Sequence, residues 1–455
     1  MANRKLMTAQ TGFDRLVNSQ FTRILVVIFL ILLLQIPIAL LQGLISDRQS
    51  LSQETITEIT SKWGQQQTIV GPQLVVPYVK RSGSGKNVRT ELKTATFLPD
   101  DLQINGNVET EVRYRGLFEV PVYKSKIDLN GQFLRPDFSN WGIKPEDIRW
   151  GEAEFSLQIA DTRAIQNQGV LTWNQAQLPL APGAGKFGGD RRGVHVNLRG
   201  RMEGNIFKFA LPLELNGSEK LAFAPFGKVT KAQLESNWGD PSFQGSWLPV
   251  EHTISPESFK AMWDIPSLGR GYPQQWTSET PVADHLIQES AFGVDFISPV
   301  DNYRMVRRSV KYNILFLLLT FSVFWLFEVT VVQLRVHPLQ YLLVGTAMCM
   351  FYLLQLALSE HIGFEVAYWL ASAAVVALVT FYSIAVLKAK QRGGTIGLTQ
   401  IFLYGYLYIV LAHQSYALLI GSVGLFAFLA VVMFLTRNID WFNNNQPANT
   451  NVDTN

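Results

Sequence analysis

The sequence is short of cysteine, of charge and of recognisable catalytic motifs. Among 455 residues there is one cysteine, Cys349, and it stands inside an apolar run. No intrachain disulfide can staple this chain, so any exported domain must stand on its core. Only 16% of the residues are charged and the formal net charge is +3. That is far from the concentrated Lys and Arg of a phosphate-binding surface, and it excludes nucleic acid as a partner. No G-x-S-x-G, H-E-x-x-H or C-x-x-C occurs, and the common hydrolase and metal signatures are missing with them. Two glycine-rich stretches, Gly183-Ala184-Gly185-Lys186 and Gly83-Ser84-Gly85-Lys86, fail as phosphate loops. Leu180 and Lys80 stand where the first glycine belongs, and Phe187 and Asn87 replace the hydroxyl residue. The sequence thus offers no catalytic residue, no metal site and no cofactor.

What is present is apolar length. Residues 24–45 carry no charge, and about 20 helical residues cross the roughly 30 Å hydrocarbon core. Arg4, Lys5, Arg15 and Arg23 precede this run as they would in a signal peptide. The stretch is too long for one and no A-x-A site follows, so we expect an uncleaved anchor, kinked at Pro37. Apolar character returns over 313–435, with polar breaks at 333–338, 359–363, 388–394 and 413–415. Five further spans follow, giving six transmembrane helices. Arg335, Lys388, Lys390, Arg392 and Arg437 fall on the side of the basic N-terminus, which places both termini in the cytoplasm. Arg304, Arg307, Arg308 and Lys311 oppose this orientation, but the rule is weak beside so long a loop.

The expected division is a cytoplasmic N-terminus (1–23), a first span (24–45) and a helical stalk (46–63). A β-rich extracytoplasmic domain (64–312), a five-helix bundle (313–435) and a disordered cytoplasmic tail (436–455) complete it. Leu51, Ile59 and Trp63 share one face of the stalk. Beyond Gly64 the apolar period changes to two: Val108, Val112 and Tyr114 alternate with charges, as do Phe155, Leu157 and Ile159 with polar residues. Val194 to Leu198 and Phe207 to Leu215 repeat the pattern. Asn105-Gly106, Asn130-Gly131 and Asn216-Gly217 read as hairpin turns, and the fold class as an all-β, antiparallel, sandwich-like domain. Loops 81–87 and 166–193 read as mobile. At roughly 230 residues such a domain buries enough surface to need no staples.

Several polar residues lie at membrane depth or at its edge. Glu360, His361 and Glu365 share a side with His413, so two imidazoles and two carboxylates are candidates for a metal or proton site. Short interfacial loops also carry such residues without function, and that reading is the stronger. Glu328 lies within the second span, where an ionised carboxylate must be paired or functional. Arg335 and Arg437 are its candidate partners. Gln355 in the third span, and Gln400, Tyr404 and Tyr408 on one face of the fifth, form a polar seam. Such a seam either lines a path or bonds helix to helix, the second being commoner. Ala367 with Ala371, and Ala417 with Gly421, are small pairs that permit close helix approach.

Several blocks resemble the CreD family of inner-membrane proteins over nearly the whole chain. They are WGQQ at 63–66, GPQLVVPY at 71–78, YRGLF at 114–118 and WGDPSFQGSWLP at 238–249, then HPLQYLLVG at 337–345, LSEHIGF at 358–364, YALLIGS at 416–422 and TRNIDW at 436–441. The family pattern carries an acidic pair just before Tyr416, where this chain has Gln414 and Ser415. The resemblance implies the bacterial inner membrane, with 46–312 mainly periplasmic, and a part in envelope integrity and stress response; it supplies no catalytic residues.

The expected function is therefore that of a non-enzymatic envelope protein. Its β-domain would bind a periplasmic protein or envelope component, and its helices would sit in the lipid bilayer; the sequence does not set its oligomeric state. Two alternatives remain open. Transport or lipid handling through the helical bundle is motivated by Glu328 and the Gln400 seam. An insertase-like factor is motivated by a layout shared with YidC-type insertases, although the loop at 333–338 is short and no Arg stands within a span.

Overall fold

The computed structural model describes residues 20–82, 89–296, 302–330, 336–413 and 416–437. Contacts divide the chain into a helical unit, Met1–Gln49 with Val300–Asn455, and a β-rich unit, Ser50–Pro299.

In the helical unit α1 (Gln20–Leu33) and α2 (Gln35–Trp63) are interrupted at Leu34, three residues before Pro37. Proline has no N–H to give the Leu33 carbonyl, which is the expected weak point. After α3 (Asp284–Glu289), which belongs to the β-rich unit, come α4 (Asn302–Lys311) and α5 (Asn313–Thr330), bent by 44° relative to each other. The remaining helices are α6 (Pro338–Ile362), α7 (Phe364–Val386), α8 (Lys390–Ala412) and α9 (Ala417–Thr436). Among the described residues five helices are long and apolar enough to cross a membrane, or six if α4 and α5 make one span. Leu30, Leu34, Ile38 and Ile45 pack into a core shared with Phe321, Val344 and Met348. Gly345 makes room for this, since a Cβ there would collide with Leu34 and lie 2.9 Å from the Phe321 ring. Ala367 and Ala371 of the first small pair are fully buried. Among the described residues a Cβ on Gly421 of the second would meet nothing within 4 Å, whereas one on Gly424 would collide with Tyr406.

The strands of the β-rich unit are β1 (Gln67–Ser82), β2 (Arg89–Phe97), β3 (Asp101–Arg115), β4 (Phe118–Leu134), β5 (Glu154–Ile159) and β6 (Val170–Trp173). They continue as β7 (Ala176–Pro179), β8 (Ala181–Pro182), β9 (Gly193–Asn197), β10 (Ile206–Ser218), β11 (Lys220–Phe223) and β12 (Val229–Ser236). The last are β13 (Ser242–Gly245), β14 (Glu251–Ser255), β15 (Ser258–Pro266), β16 (Gln275–Thr277) and β17 (Phe292–Asp295). One sheet runs β13-β17-β11-β1-β5-β9-β8, with β2 and β16 continuing from β1; the other runs β14-β15-β12-β3-β4-β10-β6-β7. Their inner faces share one core, in which Phe133 lies 6.4 Å from Phe155 and Trp263 lies 5.5 Å from Phe292. Alternation is clean where one face is wet, as on β15, where Phe259, Ala261, Trp263 and Ile265 point inward.

Three expectations need correction. The sheets are mixed, because β1 pairs β11 in parallel and β12 pairs β3 in parallel; these ladders join segments far apart in the chain, where turn residues leave no local mark. The three Asn-Gly pairs are not turns but lie within β3, β4 and β10. Their glycines admit neighbouring groups: a Cβ on Gly131 would collide with the Asp101 carbonyl, and one on Gly217 with the Tyr123 ring. The β3–β4 turn falls instead at Gly116, with φ +60°. Finally, 166–193 is not a bare loop, since it carries β6, β7 and β8; residues 83–87 of the other loop, 81–87, lie outside the described residues.

The end of α2, from Ser50 on, belongs to this unit. The Trp63 indole N–H donates to the Tyr123 carbonyl at 3.3 Å, and the Arg113 guanidinium lies 3.5 Å over its ring. Ser218 donates to the Gly64 carbonyl at 2.9 Å, and the Gln67 amide bridges the Asp161 and Asn216 carbonyls.

Candidate functional site

Glu328 stands near the end of α5 and is 9% exposed. It accepts the Tyr341 hydroxyl at 3.3 Å and the Val336 N–H at 3.4 Å, and so ties the start of α6 back to α5. Tyr341 is itself held by Phe321 and Phe324. Arg335, one expected partner, lies outside the described residues. Arg437, the other, lies with its guanidinium 4.1 Å over the Phe434 ring. The HPLQ segment opening α6 is a capping box: the Leu339 N–H donates to His337 Nδ1 at 3.2 Å, and the His337 N–H to Gln340 Oε1 at 2.9 Å.

Of the residues expected to form a polar seam, Gln355, Gln400 and Tyr404 are buried and Tyr408 is half-buried. Gln400 is fully enclosed and donates to Thr320 Oγ1 at 2.7 Å, linking α8 to α5. Tyr404 packs on Phe351 and Phe316, and its carbonyl accepts the Tyr368 hydroxyl at 2.6 Å. Tyr408 stacks against Trp369 and donates to Glu365 at 3.3 Å. Gln355 is also fully enclosed, and both its side-chain polar atoms lack a partner among the described residues.

The four groups considered for a metal or proton site are not brought together. Glu360 accepts the Tyr303 hydroxyl at 2.9 Å and pairs with Arg48 at 3.7 Å. His361 is exposed, Glu365 turns to Tyr408, and His413 Nδ1 lies 3.1 Å from the carbonyl of Ile409 in its own helix. Among the described residues no three His, Cys, Asp or Glu side chains gather to hold a metal ion. Sequence reading missed Arg48, Tyr303 and Thr320, because their partners are distant in the chain and the residues themselves are unremarkable beside a span. Arg307, which opposed the orientation rule, donates to Gln49 at 2.7 Å.

A cavity in the bundle lies elsewhere. It measures about 540 Å³ between α5, α8 and α9, and Leu319, Val323, Phe402, Leu425, Phe428 and Val431 form much of its wall. Its hydroxyls are already bonded: Thr395 and Thr399 donate to carbonyls of α8, and Tyr406 to the Ile420 carbonyl. Gln400 faces Thr320 and not this space, so the seam is interhelical bonding and the cavity is apolar.

Several apolar helices bonded through a buried polar seam, with a large two-sheet domain in the same chain, define a multi-pass membrane protein. A family model described as Inner membrane protein CreD matches residues 19–442. The chain is also similar to the inner membrane protein CreD of Escherichia coli (strain K12), with 33% identity over 417 residues, 90% of this chain and 91% of that one. It belongs to the CreD family and is a multi-pass inner membrane protein.

Proposed function

We propose that this is a non-enzymatic protein that supports envelope integrity under stress by holding an envelope partner on its β-rich domain. The observation that carries this reading is an open strand edge with exposed apolar side chains beside it. β14 is the end strand of its sheet and its residues are largely exposed. Beside it Leu248, Val250 and Leu268 are exposed by 71%, 68% and 96%. The chain around Leu248 and Val250 is bonded to β15: the Val250 N–H donates to the Met262 carbonyl at 2.8 Å, and the Trp247 carbonyl accepts the Trp263 indole N–H at 3.1 Å. A strand edge offers unpaired N–H and C=O groups to an incoming extended segment, and neighbouring apolar side chains add contact area.

In this reading both termini are cytoplasmic and residues 46–312 are mainly periplasmic. Lys388 and Lys390 beside the start of α8, and Arg437 at the end of α9, support that orientation. A photo-crosslinking residue at Leu248 or Leu268 of the full chain should trap one reproducible partner in envelope-stressed cells. Val250→Asp should abolish both the adduct and stress tolerance while protein abundance is unchanged. An empty result at both positions would remove the basis for the reading.

A further inference from the structure

The walls of the cavity between α5, α8 and α9 are apolar, and cations stand farther along two of the helices that form it. Arg392, Thr395, Thr399, Phe402 and Tyr406 follow one another along α8 at steps of three and four residues, so they share a face. The last four line the cavity, and Arg392 stands one turn beyond its end. Arg392 is half-buried, and of the five hydrogens a guanidinium can donate, one reaches the Leu387 carbonyl at 3.5 Å. Lys388 and Lys390 are exposed next to it. α9 returns antiparallel to α8 after a short connection, so exposed Arg437 at its end belongs to the same end of the bundle.

The dimensions suit a lipid chain. Along α5 the cavity extends over residues 315–327, about 18 Å at the helical rise and so a little over half the roughly 30 Å hydrocarbon core. Its volume falls within the roughly 300–1,000 Å³ of small-ligand sites. α9 meets α8 at Gly424, where any Cβ would collide with Tyr406.

We infer that this groove binds an anionic glycerophospholipid, with one acyl chain along α5 and α8 and its phosphate on Arg392 and Arg437. Walls whose hydroxyls already serve their own backbone offer a polar solute no donors, whereas hydrocarbon needs none. The cations at one end call for an anion, which a second copy of α9, an apolar helix, does not bring.

The test uses the full chain in detergent, with native mass spectrometry in equal amounts of phosphatidylglycerol and phosphatidylcholine. One phosphatidylglycerol is expected to be retained in preference. Arg392→Gln should lower that preference about fivefold. Ala427→Trp, which fills the groove, should abolish retention at an unchanged melting temperature. Should that variant unfold, Phe428→Trp gives an independent reading: its added fluorescence should be quenched by phosphatidylglycerol brominated on the acyl chains. Equal retention of the two lipids, undiminished retention in Ala427→Trp, or no quenching at position 428 overturns the inference. So does a wild-type dimer that Ala427→Trp dissociates, which would make this face a self-association surface.

Discussion

Glu154 opens β5 with a side chain almost wholly buried, and the glycine-rich segment 183–186 closes over it. The Lys186 N–H donates to its carboxylate at 3.0 Å, and a Cβ on Gly185 would collide with that carboxylate. The segment that fails as a phosphate loop therefore cradles a carboxyl group of its own chain, which explains glycines that a motif search leaves without a purpose. Burial raises the Glu154 pKa, and His195 and the Lys186 N–H offset this only in part. The folded state therefore holds this proton more tightly than the unfolded chain. The resulting stabilisation is fully present below the ordinary value of 4.5 and is lost as pH rises through the raised one. Melting of the full chain between about pH 4 and about pH 7 should thus show a smaller decline with rising pH in Glu154→Gln, which keeps the acceptor but not the charge. Identical slopes in the two proteins would contradict this.

At the scale of elements, α6 combines a well-made start with an unexplained interior. His337 and Gln340 satisfy its first donors, while Gln355 is buried with neither side-chain polar atom partnered among the described residues. An unsatisfied buried amide costs about 1–3 kcal/mol. Gln355→Leu should therefore raise the thermal stability of the bundle by that order, measured on the full chain in detergent. A fall in stability would contradict this. Together α6 and α8 show what periodicity conveys. Gln355, Gln400 and Tyr404 are legible as one polar set because helical spacing alone places them on inward faces. That Gln400 reaches Thr320 on α5 is not legible, because hydroxyl-bearing residues are ordinary in spans and only packing selects one.

At the scale of the molecule, the β-rich unit is built as a single domain whose two sheets share one core. About 250 residues in one unit bury about three quarters of their chain surface, enough to stand without disulfides. The segment Ser50–Pro299, expressed alone, should therefore unfold in one cooperative transition seen equally by near- and far-ultraviolet circular dichroism. Two separate transitions, or no near-ultraviolet signal, would mean that the domain depends on the helical unit.

What the sequence determined by itself was the division into apolar helices and a large β-rich domain, the first helix weakened ahead of Pro37, and the absence of an intrachain disulfide. Each follows from local quantities: the length of uncharged runs, the period of apolar residues and the count of one residue type. Tertiary structure alone decided the parallel pairing of β1 with β11, the conversion of Asn-Gly pairs from turns into strand interiors, and the dispersal of Glu360, His361, Glu365 and His413. These depend on which distant segments share a core, and a side chain such as Tyr123 or Leu234 crossing a glycine leaves no trace in the residues around that glycine.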